Sequence, residues 1–179
     1  PGPTAPYTGM LPGHIAGHYD RDALEIDLMR LCRHAGARLI LGAATGIDRA
    51  AREITVEGRG AVAYDVASID IGITAKMDLL GFAEHAVGAK PLDLYAARWR
   101  EFLAAVKAGE QPPEVAVIGG GVPGAELAMA AAHRLRQATG DAQVTLLDQG
   151  RLLDALPERA RKSLTAELSR QGVACLEGA

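Results

Sequence analysis

The sequence has 179 residues, enough for one full domain or for one domain plus part of another. Its 49% hydrophobic and 23% charged residues place it with globular proteins and exclude a disordered tail. A net charge of -3, scattered basic side chains and 4% aromatics exclude a nucleic-acid stacking platform, and no apolar run approaches the roughly 20 residues of a membrane span.

No signal peptide is written, so the expected location is the cytoplasm. Cys32 and Cys175 lie far apart without a CxxC. They read as two buried small hydrophobes in a reducing compartment, with a disulfide or redox pair as the alternative. Both ends of the chain read as those of a fragment.

In chain order, PGPTAPYTG opens as a turn-like stretch with no strand before it. His14 and His18 are four apart in PGHIAGHYD, beside Asp20, a spacing that could hold a metal on a helix. Gly13 and Gly17 argue against such a helix, so histidines in a loop or facing solvent are expected, with a place near a cofactor as a second reading. Residues 22–36 predict an amphipathic helix carrying Leu24, Leu28, Leu31 and Ala35 on one face. Asp22 and Glu25 resemble a capping box, and Gly36 is a plausible stop.

Residues 37–42, ARLILG, read as a short buried strand. Residues 52–58 and 61–72 follow as two more, with GRG at 58–60 as the turn between them. The expected result is a hairpin or small antiparallel meander that feeds a buried strand at VASIDIG. Residues 74–92 show no clear period. Residues 92–109 return to helix, with Leu94, Ala97, Trp99, Phe102 and Val106 on its apolar side. QPP at 111–113 denies both helix and central strand, and marks the module boundary. Beyond it the pattern is strand, helix, strand, helix, strand, the rhythm of a parallel sheet covered by helices.

The strongest motif is VAVIGGGVPGAELA, which sets Gly119, Gly121 and Gly124 in G-x-G-x-x-G positions between an apolar strand and a long helix. Gly119 would make the tight turn, Gly121 would let a pyrophosphate approach the backbone, and Gly124 would permit close helix-strand packing. Gly120, Val122 and Pro123 complete the loop, Pro123 with a φ suited to an early helical position. A pyrophosphate would sit over the free amides of the helix start. Asp148 closes the next strand, where a carboxylate accepts from an adenosine ribose and repels a 2′-phosphate, so NADH is favoured over NADPH. Arg151 nearby argues the other way, and the motif alone does not separate NAD from FAD.

These segments together resemble a known family. PYTGMLPGHIAGHY (6–19), IDLMRLCRHAGARLI, YDVASIDIGIT (64–74) and the glycine block resemble the pyridine nucleotide-disulfide oxidoreductase superfamily. The branch they look most like is the FAD-containing, type II NADH dehydrogenase-like proteins, including those fused ahead of selenide, water dikinase. The resemblance implies an α/β protein built of Rossmann-like three-layer fragments of two nested dinucleotide domains, with a small antiparallel β meander. Residues 1–110 would be part of the FAD domain and its connecting helix, and 113–179 the start of the NAD(P)H domain.

It also implies flavin-side roles for Tyr7, Thr8, Gly9 and Met10, contacts to FAD near Gly72 and Thr74, and a place for Lys90 facing the region between the cofactors. Glu126 would stand near the nicotinamide-flavin junction. The implied parent moves hydride from NADH to FAD and on to a quinone or other acceptor, since no C-x4-C redox motif is present, while the isolated chain would retain FAD poorly and turn over little. A homodimer and a fused or associated selenide, water dikinase domain are further expectations. The competing readings are a nucleotide-binding regulatory or sensor module attached to another enzyme, and a structural domain with a vestigial glycine loop.

Overall fold

The computed structural model describes residues 2–72 and 80–179. In chain order the strands are β1 (Thr4–Pro6), β2 (Glu25–Asp27), β3 (Ala44–Asp48), β4 (Glu53–Val56), β5 (Gly60–Ala63), β6 (Glu114–Ile118), β7 (Gln143–Asp148) and β8 (Val173–Glu177). The helices are α1 (Leu11–Ala16), α2 (Leu28–Ala35), α3 (Phe82–His85), α4 (Leu92–Lys107), α5 (Val122–Thr139) and α6 (Glu158–Arg170). They form an α/β fold with Rossmann-like architecture, divided into two compact units.

The first unit contains β1 to β5 and α2. β1 and β2 pair antiparallel, with Ala5 opposite Ile26. The long helix expected over residues 22–36 is therefore shorter. Glu25, Ile26 and Asp27 alternate as a strand, and Asp27, not Asp22, caps the helix by accepting the Arg30 N–H at 2.9 Å. Gly36 does end it, at φ +64. The opening stretch, expected as turn alone, contributes β1, because Thr4–Pro6 finds a partner from distant sequence.

β3, β4 and β5 make the antiparallel meander, with Ile54 between Ile47 and Val62. The glycines at 58 and 60 take positive φ and turn the chain between β4 and β5. Two expectations fail here. Residues 37–42 form no strand, and the pairing goes instead to Ala44–Asp48, whose register with β4 is fixed by the tight loop at 49–52. Residues 66–72 are irregular and exposed, Val66 and Ile71 each about 90% so, rather than a buried strand. The cysteines also depart from expectation: both are thiols, Cys175 exposed and Cys32 half-buried.

The second unit contains α1, α3 to α6 and β6 to β8. Its three-stranded parallel sheet has the order β6-β7-β8. Strands running in one direction cannot be joined by tight turns, so α5 and α6 serve as the crossovers and cover the sheet. Alanines at 125, 128, 131 and 132 are buried, which lets α5 lie close on Val144, Leu146 and Val173. Leu146, fully buried on the central strand, contributes about 2–3 kcal/mol by leaving water.

α1 and α4 pack on α5. Residues 11–16 are helical despite Gly13, because Leu11, Ile15 and Ala16 bury against that layer, and Gly17 at φ +85 ends the turn. Packing overrides the weak propensity that argued against a helix here. On α4 the buried face is Leu92, Ala96, Trp99, Leu103 and Val106, while Leu94 is exposed. The apolar stripe is thus rotated from the expected one at Leu94 and Ala97 and shared with it at Trp99 and Val106.

Candidate nucleotide-binding site

The site lies at the carboxyl ends of β6, β7 and β8, where open α/β sheets take their ligands. Each glycine of the loop after β6 has its own physical explanation. Gly119 has φ +115, a conformation closed to L side chains, and its N–H donates to Leu147 O at 2.9 Å. A Cβ on Gly124 would overlap the carbonyl oxygen of Gly119, so this position fixes how closely α5 approaches the loop. A Cβ on Gly120 would overlap Leu152 Cδ2 and lie 3.0 Å from Asp148 Cβ.

Gly121 is different. Its φ of -74 suits any residue, and a Cβ there would meet only Pro123 Cδ at an ordinary 3.7 Å. Nothing within the described residues requires glycine at this point. Gly121 also caps α5 without a side-chain hydrogen bond, and Pro123 brings no N–H to the first turn. The helix start therefore keeps its positive dipole end and its remaining amides open to an outside acceptor.

Asp148 is locked to the glycine loop. Its Oδ2 accepts the Gly120 N–H at 2.7 Å, and its Oδ1 accepts the Gly150 N–H at 2.8 Å. These two donors, Gly120 first, hold its carboxyl below the ordinary aspartate range. Each carboxylate oxygen retains acceptor capacity beyond its one backbone donor.

The loop after β7 is the part that sequence reasoning missed. Leu152 and Leu153 are buried, and the Leu153 N–H donates to Gly120 O at 2.7 Å. The Leu152 N–H donates to Glu177 Oε1 at 2.9 Å. The signal was present as an adjacent leucine pair directly after the polar QGR, which only burial makes sense of. Arg151, the cation that argued for a 2′-phosphate, turns to Glu158 at 3.2 Å and reaches Asp154 at 4.0 Å.

The other expected residues are placed as follows. Val122 and Pro123 open α5, and Glu126 is exposed one turn further along it. Tyr7 is exposed ahead of a 3₁₀ turn formed by Thr8, Gly9 and Met10, which leads into α1. Lys90 is half-buried and precedes a cis proline at the start of α4. Gly72 belongs to the other unit, exposed at φ +68, and Thr74 lies outside the described residues. The structure thus brings together Gly119 to Gly124 with Asp148. His14 is in α1, its Nδ1 2.9 Å from Tyr19 O, and His18 lies past the end of that helix with its ring 5.6 Å from that of His133.

The family model for pyridine nucleotide-disulphide oxidoreductases matches residues 2–179. The chain belongs to this family. No curated protein matches this family member's sequence. Among solved structures, it is similar to NDH2 from Plasmodium falciparum in complex with NADH, at 17% identity and a TM-score of 0.76 over 98% of this chain and 41% of that one. It is also similar to the sulfide:quinone oxidoreductase of Aquifex aeolicus, at 15% identity and a TM-score of 0.80 over 99% and 43%. A third similar structure is a NAD-dependent persulfide reductase from A. fulgidus, at 22% identity and a TM-score of 0.72 over 97% and 33%. This pyridine nucleotide-disulphide oxidoreductase chain therefore spans less than half the length of these structures, and at such identities the likeness establishes the shared fold.

Proposed function

We propose that this chain supplies the NADH-binding part of a flavoprotein that oxidises NADH and passes the electrons to a quinone or another acceptor. The observation that carries the reading is Gly121, a glycine that neither backbone geometry nor a neighbouring atom demands, at the open start of α5. An approaching pyrophosphate gives that glycine a reason, since a side chain there would stand between the phosphates and the helix dipole. Gly119, Gly120 and Gly124 fix the loop, and Asp148 offers its carboxylate to the ribose hydroxyls. An ionised Asp148 with Arg151 held by Glu158 favours NADH over NADPH.

When bound, the two cofactors supply hydride transfer from nicotinamide to flavin. The residues of this chain bind and orient. In this reading residues 113–179 begin the NAD(P)H domain and residues 1–110 belong to the FAD domain. Tyr7, Thr8, Gly9, Met10, Gly72, Thr74 and Lys90 stand on the flavin side, and Glu126 orients the junction between the rings. A cytoplasmic protein, a homodimer and an attached selenide, water dikinase domain complete the proposal. No helix among the described residues is long and apolar enough to cross a membrane.

Calorimetric titration of the chain and its Gly121→Ala variant with NADH and NADPH tests the reading. The expected result is saturable binding that prefers NADH, with affinity at least tenfold weaker in a variant that melts as the wild type does. A folded wild-type chain that binds neither nucleotide overturns it, as does unchanged binding by the variant.

A further inference from the structure

We propose that Glu177 is a second determinant of nucleotide choice, excluding a 2′-phosphate through its charge beside Asp148. The inference rests on the NADH reading above and deepens it. Asp148 and Glu177 are register partners at the carboxyl ends of β7 and β8. Adjacent strands lie about 4.8 Å apart, and partners in register project to the same face of a sheet. Both carboxylates are anchored by backbone amides of one connected loop system. Asp148 takes Gly120 and Gly150, and Glu177 takes Leu152 at 2.9 Å.

The carboxylates here, this pair with Asp154 and Glu158, outnumber the cations by one. Arg151 is engaged by Glu158 and Asp154, and Arg161 makes two contacts of 3.2 Å to the same Glu158, with Lys162 also 3.8 Å away. Glu158 thus takes a contact from each of three cations, while Arg161 also feels the charges of Glu177 and Asp154. A ribose 2′-hydroxyl is neutral and indifferent to one further carboxylate close by. A 2′-phosphate carries about -1.5 to -2 charges and is repelled by each carboxylate within reach. Glu177 acts by this repulsion and not as a ribose ligand, since the ribose acceptor at the end of β7 is Asp148.

Glu177→Gln separates charge from structure, because its amide oxygen still accepts the Leu152 N–H. Titrating this chain and its variants with NADH and NADPH at low salt tests the assignment. For Glu177→Gln the NADPH Kd is expected to fall about fivefold while the NADH Kd holds, and the gain should shrink at high salt. Glu177→Lys should push NADPH further in the same direction. Asp148→Asn should differ by weakening NADH itself.

If Glu177→Gln leaves the ratio of the two Kd values at its wild-type level, the assignment is wrong. If it weakens both nucleotides equally, Glu177 is merely structural. A wild-type chain that binds neither nucleotide removes the NADH reading itself, an outcome distinct from either.

Discussion

The β6-β7-β8 sheet and the β3-β4-β5 meander each have three strands, but they are held together by different means. In the parallel sheet Val144, Leu146 and Val173 are buried under α5 and α6. In the meander no described hydrophobic residue is buried, and Ile47 on its edge strand β3 is 46% exposed. Short turns let an antiparallel ladder close locally through backbone hydrogen bonds, whereas a parallel sheet forms only when its crossovers pack. The same packing brings three strand ends and two loops to one edge. That is why the nucleotide loop, Asp148 and Glu177 meet there, and why no comparable cluster arises on the meander.

The largest expected effect is at the joint between loop and helix. Gly124→Val puts a side chain into the Gly119 carbonyl and should cost more than about 3 kcal/mol, read as a collapse of the urea midpoint together with loss of NADH binding. A variant of wild-type stability would show that α5 does not approach the loop as described.

Leu146→Ala comes next. It leaves a void under α5 and should lower unfolding free energy by about 2–5 kcal/mol. A loss below 1 kcal/mol, on the order of an exposed site, would erase the contrast between the two sheets.

Acid should act on the loop through Asp148. Its folded pKa is lowered, so the stability it confers is present above the unfolded value, about 3.9, and is lost as pH falls through the folded one. Wild type should therefore lose stability relative to Asp148→Asn as acid is added, and the Gly120 amide resonance should move over the same range. Parallel acid titrations of the two chains would count against the Gly120 and Gly150 contacts. The smallest effect belongs to the meander: Ile47→Ala should change stability by less than about 0.5–1 kcal/mol, since its side chain is half in water already.

The legibility of the chain follows the same division. From residue 113 on, every element could be read, because strand and helix periods alternate and the glycine motif fixes where one passes to the other. Gly119, Gly124 and Asp148 were each readable from position alone. Of residues 1–48, only the helix that ends at Gly36 was. β1 and β2 are three residues each and pair between positions 19 to 23 apart in sequence, which no local window can see. Apolar ARLILG had the better strand composition, yet ATGID took the place beside β4.

Sequence by itself determined the family, the parallel βαβ rhythm and the glycine loop. These are set by local spacing: two-residue and 3.6-residue periods, and glycines where a turn or a close approach demands them. Tertiary structure decided which carboxylates and amides share the loop, that Arg151 turns to Glu158, and that Leu152, Leu153 and Glu177 belong to the site. Apart from Arg151 and Glu158, 7 positions apart, those relations join residues 25 to 33 positions apart in sequence, and only the lateral order of the strands and the packing of α5 and α6 bring them within hydrogen-bonding distance.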